Sequence, residues 1–213
     1  MVFFANSNDI IVVDIEVTEK IDDRYLKSFV FSNLKLKNIS LENSEKLYIN
    51  YLEYAKEYQV FLVNSKFSFF DFEAFHSYYE NREFVGFELL ICSNFFVIFK
   101  DKKFFYYQKI NQDLNQDDFL RFLNKKFNID ISSIKVVLKD EFEKLKKDFT
   151  TKNQNNNHNK TINKEGLKYI DLKASFSFYI YILYLLAILF FGYYFYNTYF
   201  NVTQKKEEII DFE

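Results

Sequence analysis

Residues 88–110 read ELLICSNFFVIFKDKKFFYYQKI, a run of apolar and aromatic residues with two short polar breaks. The apolar parts are rich in aromatic and β-branched residues, which are typical of strands. The breaks, Ser93-Asn94 and Asp101-Lys102-Lys103, have the composition of tight turns. The sequence therefore predicts three antiparallel strands joined by two hairpin turns. Their expected ranges are Gly86–Cys92, Phe95–Lys100 and Phe104–Ile110.

The pattern after these strands changes to a helical one. Asn115 can cap a helix whose apolar residues share one face, and a strand and a short helix follow it. The helix face comprises Phe119, Leu120, Leu123 and Phe127, the strand is Ile134–Leu138, and the second helix is Glu141–Phe149. The predicted order of this half, residues 81–150, is strand-strand-strand-helix-strand-helix.

The first 80 residues can be interpreted in the same order. Two strands flank the turn Asn6–Asp9, and a third strand falls within Ser28–Leu36. Ser44 can cap a helix, which a strand and a short helix follow. The flanking strands are Val2–Ala5 and Ile10–Val17, the helix carries Leu47, Tyr51, Ala55 and Tyr58 on one stripe, and the last two elements are Val60–Val63 and Phe72–Tyr79. We therefore predict an α/β region built from two βββαβα halves.

Near the C-terminal end, residues 177–200 read SFYIYILYLLAILFFGYYFYNTYF, and no charged residue lies between Lys173 and Lys205. This run can cross a bilayer, which needs about 20 residues of helix. Tyrosines near both ends are typical of the aromatic belts at membrane interfaces. A buried helix of a soluble core is the alternative, which this length without charge disfavours. We predict a transmembrane helix over residues 174–200, spanning the bilayer with Phe176, Ile180, Leu183, Leu186, Leu189, Phe190 and Tyr194.

Lysines are more frequent before this helix than after it. Lys160, Lys164, Lys168 and Lys173 precede it, against Lys205 and Lys206. Because positive charge accumulates on the cytoplasmic side, the N-terminal region is expected in the cytoplasm and residues 201–213 on the far side. The start, MVFFANSND, lacks the basic and apolar regions of a signal peptide. A bacterial inner membrane is the expected location, since the residue usage suggests an AT-rich bacterial genome.

Residues 150–164, TTKNQNNNHNKTINK, are polar and lack a hydrophobic period. Such a stretch buries too little apolar surface to offset its ordering entropy. We therefore predict that residues 151–173 form a flexible linker and juxtamembrane segment that tethers the folded region to the membrane.

Few residues have the pattern of a chemical site. Cys92 lies in an apolar run, so it is expected to be packed and inert, and His76 and His158 have no partner at metal-ligand spacing. Asp14 and Glu16 share a strand face, where they serve either solubility or a metal ion. The net charge is -2, which gives no reason to expect direct nucleic-acid binding.

The stretch Phe96–Phe127, FVIFKDKKFFYYQKINQDLNQDDFLRFLNKKF, resembles the second-half sheet and helix of the PilM and GspL families. The resemblance implies a reduced actin-like (ribonuclease-H-like) fold. In type IV pilus and type II secretion platforms, such proteins bind a secretion ATPase or a peptide of a membrane partner, and related platforms drive DNA uptake in natural transformation. The chain departs from GspL at its C-terminal end, where a folded periplasmic domain is not expected.

Actin-like ATPases hold phosphate on turns whose glycines let backbone N–H groups approach the anion. The three glycines here, Gly86, Gly166 and Gly192, all lie outside the predicted turns. We therefore expect no catalytic residue, cofactor or metal, and a scaffold that recruits a cytosolic ATPase and other inner-membrane platform proteins. The alternatives are a degenerate actin-like ATPase, a nuclease that uses Asp14, or a stand-alone membrane signalling protein.

Two lysine clusters are candidate contacts for membrane lipid or an acidic partner. They comprise Lys100, Lys102 and Lys103 on a hairpin turn, and Lys144, Lys146 and Lys147 on the last helix of the second half. The alternative is that these lysines are solvated, since charge runs usually face water. The transmembrane helix itself offers a possible homo- or hetero-oligomer contact, although Ala187 and Gly192 do not have GxxxG spacing.

Overall fold

The computed structural model describes residues 3–42, 44–110, 116–153, 166–172 and 176–210. The chain divides into two units, Met1–Leu172 and Lys173–Glu213. The strands are β1 (Phe4–Ala5), β2 (Ile10–Glu16), β3 (Glu45–Leu52), β4 (Glu57–Asn64), β5 (Phe69–Phe70), β6 (Phe87–Ile91), β7 (Phe95–Lys100), β8 (Lys103–Lys109), β9 (Ile131–Val136) and β10 (Lys168–Ile170). The helices are α1 (Asp23–Leu36), α2 (Phe75–Tyr79), α3 (Gln116–Phe127), α4 (Lys139–Asn153) and α5 (Phe176–Ile210), with short 3₁₀ turns at Ser7–Asp9 and Asp71–Ala74.

The first sheet is antiparallel, in the order β10-β3-β4-β2. Helix α1 covers one face of it with Leu26, Val30 and Leu34, which recur every four residues and are all buried. The carboxylate of Asp22 caps this helix by accepting a hydrogen bond from the backbone N–H of Arg24 at 2.9 Å.

The second sheet has the order β8-β7-β6-β9. Its first three strands are antiparallel neighbours, and β9 joins β6 in parallel after the crossover through α3. Helix α3 covers one face with Phe119, Leu123 and Phe127. The structure has the element order predicted for residues 81–150, because the apolar and aromatic residues that indicated strands are buried on both faces of this sheet.

The other faces of the two sheets share one aromatic core. Phe61 of the first sheet lies 5.8 Å, between ring centroids, from Phe104 of the second sheet. Phe72 stacks on Phe104 at 4.6 Å, and Phe75 and Phe142 join α2 to α4 at 5.4 Å. Aromatic pairs at such distances stabilise a core beyond their buried area, so residues from both predicted halves form a single packed interior.

Two elements predicted in the first half are wrong. Residues 28–36, expected to contain a strand, lie in α1, and the helix expected after Ser44 is the strand β3. The first two strands do not form a hairpin either, because β1 pairs in parallel with β5. The first half therefore lacks the predicted βββαβα order, although its strand Val60–Val63 falls within β4.

The predicted linker is structured at both ends. Residues 151–153 belong to α4, and β10 adds to the first sheet beside β3 with Ile170 buried. Gly166 precedes β10 at φ +89°, where an added Cβ would lie 2.7 Å from the backbone oxygen of Phe104. The polar segment thus connects α4 to β10, whereas residues 171–175 connect the folded unit to α5. Residues 154–165 and 173–175 lie outside the described residues.

The second unit contains the 35-residue helix α5. Within it, Ile180–Phe200 is the one stretch of the described chain that is long and apolar enough to cross a membrane by length and composition. None of this stretch is buried inside the protein. The helix also continues to Ile210, so most of the predicted tail after residue 200 is helical.

Candidate functional site

Two of the turns singled out in the sequence lie beside one cavity. The turn Asn6–Asp9 and the turn Ser93-Asn94 both line a cavity of about 370 Å³, which we call the turn cavity. Helix α4 contributes Lys139, Glu143 and Lys146 to its wall. The two turns are far apart in the chain. They lie close together because the two sheets pack on one shared core.

A buried ion pair forms part of this wall. The Nζ of Lys146 lies 3.1 Å from Oδ1 of Asp71 and 3.5 Å from a carboxylate oxygen of Glu143. Asp71 is buried, and its burial raises the pKa of its carboxyl from 3.8 to about 6, against the opposing attraction of Lys146. The positive charge of Lys146 is therefore committed to carboxylates within the wall.

The turns Asn6–Asp9 and Ser93-Asn94 consist of polar residues and contain no glycine. The carboxylate of Asp9 accepts a hydrogen bond from the backbone N–H of Asn6 at 3.1 Å, which closes the first turn on itself. An anion in the turn cavity would meet Lys139 and Lys146 but also the carboxylates of Asp71 and Glu143. The arrangement can hold a ligand through amide and hydroxyl groups more readily than through net positive charge.

Cys92 also lines the turn cavity. It is 7% exposed, and burial raises the pKa of its thiol to about 12. The thiol therefore stays protonated near neutral pH, which agrees with the predicted inert packing.

Asp14 lies in a second cleft, between β2 and α3. Its carboxylate is 3.1 Å from Nζ of Lys126, which also contacts Glu57 at 2.7 Å. Burial alone would lower the pKa of Lys126, but Glu57, Tyr106 and Asp14 outweigh it and raise that pKa. Burial in turn raises the pKa of Glu57. Among the described residues, His, Cys, Asp and Glu form no group of three or more that could hold a metal ion. Asp14 forms an ion pair with Lys126.

Side-chain amides join the two sheets next to this cleft. The Nε2 of Gln59 donates to the backbone oxygen of Tyr107 at 2.9 Å, and the N–H of Tyr107 donates to Oε1 of Gln59 at 3.1 Å. Asn50 donates in the same way to the oxygen of Phe105. The outer edge of β8 is thereby paired with side chains of the first sheet.

The predicted hairpin lysines occupy different environments. Asp101 and Lys102 both have positive φ, 49° and 67°, as a tight turn between twisted strands requires. The Nζ of Lys100 donates to the hydroxyl of Tyr54 at 3.1 Å, and Lys102 lies 3.7 Å from Glu83. Lys103 is exposed.

The predicted lysines of α4 also differ from one another. Lys144 and Lys147 are exposed, whereas the side chain of Lys146 is only 15% exposed because of its pair with Asp71. The candidate contact surface of α4 is therefore Lys144 and Lys147 without Lys146.

The residues predicted to span the membrane lie on α5, which begins at Phe176. The later ones are 55% to 69% exposed in the isolated chain, as expected of side chains that face lipid or another helix. They are Ile180, Leu183, Leu186, Leu189, Phe190 and Tyr194.

One network escaped the sequence analysis. Glu88 of β6 is fully buried and accepts hydrogen bonds from Tyr79 at 2.7 Å, Arg82 at 2.9 Å and Ser133 at 3.1 Å. It joins α2, β6 and β9, so its place is structural. The sequence signal for this network was a lone carboxylate in an otherwise apolar strand. A carboxylate buried in a sheet needs hydrogen-bond partners, so Glu88 indicated that such partners would be present.

The sequence matches no protein-family model, and it matches no curated protein. The solved structures that are similar include that of a protein with an actin-like ATPase fold and unknown function from Bacteroides thetaiotaomicron, at 11% identity and a TM-score of 0.32. The match covers 68% of this chain and 63% of that chain, so it spans less than two thirds of that protein.

Proposed function

We propose that the protein is a single-pass membrane scaffold whose folded unit binds a cytosolic partner. The observation that carries the proposal is α5, whose apolar stretch Ile180–Phe200 is unburied and follows directly on a compact folded unit. A helix of this length and composition is stable in a bilayer and unfavourable in water. A domain attached to it holds its partner at a high effective concentration near the membrane.

The paired charges of the folded unit support a binding role. Lys126 is shared by Asp14 and Glu57, and Lys146 is shared by Asp71 and Glu143. Each lysine joins its own helix to another element, and removing the lysine would leave a buried carboxylate without its partner. Each group has one lysine (+1) and two carboxylates (−2), a formal charge of −1, so both clefts are better suited to contact with another protein than to binding an anion.

The partner that we propose is the cytosolic ATPase of a type II secretion or type IV pilus-like machine, one that takes up DNA. The support is the resemblance of residues 96–127 to the PilM and GspL families together with the order of a folded unit before a single span. The proposed location is a bacterial inner membrane with the folded unit in the cytoplasm, supported by the lysine bias around the helix.

The exposed lysines give the scaffold a way to orient at the membrane. Lys103, Lys144 and Lys147 are exposed, and a lysine near an anionic leaflet contributes about 1 kcal/mol of binding. The measurement is co-sedimentation of the chain lacking α5 with vesicles of anionic lipid at low and high salt. We expect salt-sensitive binding, and we expect Lys→Glu changes at these three positions to abolish it. Lys146→Glu is not used, because it would disrupt the buried pair with Asp71.

The proposed function is tested by affinity purification of the membrane-extracted full chain from its host, followed by identification of the bound proteins. We expect an ATPase, and we expect it to move to the soluble fraction when residues 176–213 are deleted. A chain that retains no protein partner under either condition contradicts the scaffold.

A nucleotide-binding protein is a second candidate, which the convergence of the turns Asn6–Asp9 and Ser93-Asn94 on the turn cavity favours. Lys139 lines that cavity and is the group that would face phosphate, since Lys146 is paired with Asp71 and Glu143. The test is calorimetric titration of the purified chain with ATP and Mg²⁺, together with a hydrolysis assay. Saturable binding that Lys139→Met weakens at least tenfold supports this candidate, and no binding at millimolar ATP removes it.

A further inference from the structure

Two buried polar groups beside the turn cavity accept or donate no hydrogen bond within the described part of the chain. One is Oδ1 of Asp71, which has an ion-pair contact with Lys146 only, and the other is the hydroxyl of Tyr107. The side chain of Asp71 is 6% exposed, and Tyr107 is fully buried. Buried polar groups in folded proteins are nearly always hydrogen-bonded, so these two groups point to a ligand that supplies their partner.

The hydroxyl of Tyr107 lies close to the wall of the turn cavity. The ring of Tyr107 stacks on that of Phe95 at 5.3 Å between centroids, and Phe95 lines the cavity. Burial raises the pKa of the Tyr107 hydroxyl, and the negative charge of Asp71 raises it further. Such an effect between two groups requires that they lie near each other, so one ligand group can meet both.

The charges around the cavity disfavour an ionic ligand. An anion would meet the carboxylates of Asp9, Asp71 and Glu143 against two lysines. A cation that reached Oδ1 of Asp71 would meet the Nζ of Lys146, which lies 3.1 Å from the same oxygen. The ligand group at this oxygen is therefore neutral. Because a carboxylate accepts and a hydroxyl both donates and accepts, a ligand hydroxyl can satisfy Asp71 and Tyr107 together.

The rest of the lining suits a small ring that carries several hydroxyls. Side-chain amides and hydroxyls, each able to donate and to accept, come from both turns: Asn6, Ser7, Asn8, Ser93 and Asn94. Phe95 and Phe142, with ring centroids 5.6 Å apart, add apolar surface to the wall. The cavity volume of about 370 Å³ lies near the lower end of the range of small-molecule sites. A rigid ring also loses little conformational freedom when it binds.

We propose that the turn cavity binds a neutral cyclic polyol of about the size of a monosaccharide, one hydroxyl of which donates to Oδ1 of Asp71 and accepts from the hydroxyl of Tyr107. This role goes beyond the scaffold function and does not depend on it. It differs from the nucleotide candidate in the charge of the ligand, because an uncharged ring enters the cavity in place of a phosphate.

The ligand class is tested by ligand-observed NMR titration of the full chain in a detergent without a sugar head group. The neutral probes are glucose, galactose, ribose and myo-inositol. Each is compared with its phosphate ester, and glucosamine serves as the cationic probe. We expect saturable binding of a neutral probe at millimolar concentration or below, and at least tenfold weaker binding of the charged probes. The proposal is overturned if no neutral probe binds at millimolar concentration, or if a phosphate ester, glucosamine or ATP binds more tightly than the neutral probes.

The contacts are tested by variants that remove single polar groups. Tyr107→Phe removes a hydroxyl without a partner among the described residues, so we expect an unfolding free energy no lower than that of the native chain and about fivefold weaker binding of the neutral probe. We expect Asp71→Asn to weaken binding at least tenfold, since hydrogen bonds to a charged acceptor are the stronger ones.

The matched control is Tyr106→Phe. Neighbouring residues of a strand point to opposite faces, and the hydroxyl of Tyr106 donates to Gln108 at 2.8 Å on the side of the second cleft. We expect this variant to bind the neutral probe as the native chain does. Binding that Tyr107→Phe weakens no more than Tyr106→Phe, or that Asp71→Asn leaves unchanged, places the ligand elsewhere and overturns the proposal.

Discussion

Asp71 provides a quantitative test of the turn cavity. Its side chain is 6% exposed and lies 3.1 Å from Nζ of Lys146. Burial raises its pKa from 3.8 to about 6, since the attraction of Lys146 does not fully offset the loss of water and Glu143 and Asp9 add repulsion. The folded chain therefore holds the Asp71 proton more tightly than the unfolded chain does.

This difference has a definite sign. A carboxyl whose pKa is raised on folding favours the folded state below the unfolded pKa of 3.8, and the advantage is lost as the pH rises through about 6. At 1.36 kcal/mol per pKa unit, a shift of about two units corresponds to about 3 kcal/mol in all. Between pH 4 and pH 7 the loss is about 2 kcal/mol, because part of the titration lies below pH 4.

The perturbation is Asp71→Asn, which keeps the shape of the side chain and cannot ionise. The free energy of unfolding is measured by urea denaturation of the full chain in detergent at pH 4 and pH 7, followed by the near-ultraviolet circular dichroism of its 17 tyrosines. We expect the stability of the native chain relative to Asp71→Asn to fall by about 2 kcal/mol between the two pH values.

The control is Asp148→Asn, at an exposed position of the same helix as Lys146, which reports the effect of removing a surface carboxylate. A difference between native chain and Asp71→Asn that is the same at pH 4 and pH 7 would refute the burial of an ionised carboxyl at this site. A difference that grows in favour of the native chain would show that the ion pair outweighs burial.

Three further changes test the contacts that hold the folded unit together. Lys126→Met leaves Glu57 buried without its partner, so we expect a loss of about 3 kcal/mol of unfolding free energy at pH 7, measured by urea denaturation. Gln59→Leu removes both hydrogen bonds to the backbone of β8, with an expected loss of about 3 kcal/mol in the same assay. Gly166→Ala introduces a side chain at positive φ against the backbone, so we expect a loss of about 2 kcal/mol, while Gly192→Ala, with open space around it, changes stability by less than about 0.5 kcal/mol.

Each of these has an outcome that contradicts it. Lys126→Met as stable as the native chain would mean that Glu57 is solvated or protonated at pH 7. If Gln59→Leu has the same unfolding free energy as the native chain, water satisfies the backbone groups of Tyr107 that Gln59 bonds in the native chain. If Gly166→Ala and Gly192→Ala had equal effects, β10 would not depend on the turn before it.

The second half of the folded unit could be predicted from its sequence because its strands and turns differ sharply in composition. The nearly continuous apolar and aromatic residues between Phe95 and Ile110, interrupted by Asp101-Lys102-Lys103, favour two strands joined by a turn. Both sides of these strands are buried, one by α3 and the other by the shared core, so the local signal and the tertiary environment agree.

The first half contains two segments whose patterns fit either structure. Phe29 and Phe31 alternate as in a strand, yet Leu26, Val30 and Leu34 recur as in a helix, and burial against the first sheet selects the helix. Residues 45–52 have the reverse ambiguity, and pairing with β4 over eight residues selects the strand. When a segment fits both the helical and the strand period, its local sequence does not determine which structure forms. The contacts that determine it are with residues elsewhere in the chain.

The candidate sites depend on contacts between distant residues. Lys126 pairs with Asp14, 112 positions away in the chain, and Gln59 pairs with a strand edge 48 positions away. Neither partner carries a local motif. Glu88 had a usable signal, a lone carboxylate in an apolar strand. The strand β10 had a weaker signal, the apolar Leu167 and Ile170 at the end of a polar segment, and its three-residue length hid it.

The proposed scaffold role requires that the folded unit bind a partner and that α5 keep that complex at the membrane. The most direct measurement compares the full chain with a chain ending at Leu172, each purified from its host, and determines which proteins are bound and in which fraction. We predict the same partner on both chains, in the membrane fraction with the full chain and in the soluble fraction with the shorter one. A partner that requires α5 for binding, or a shorter chain that stays in the membrane fraction without it, would contradict the account.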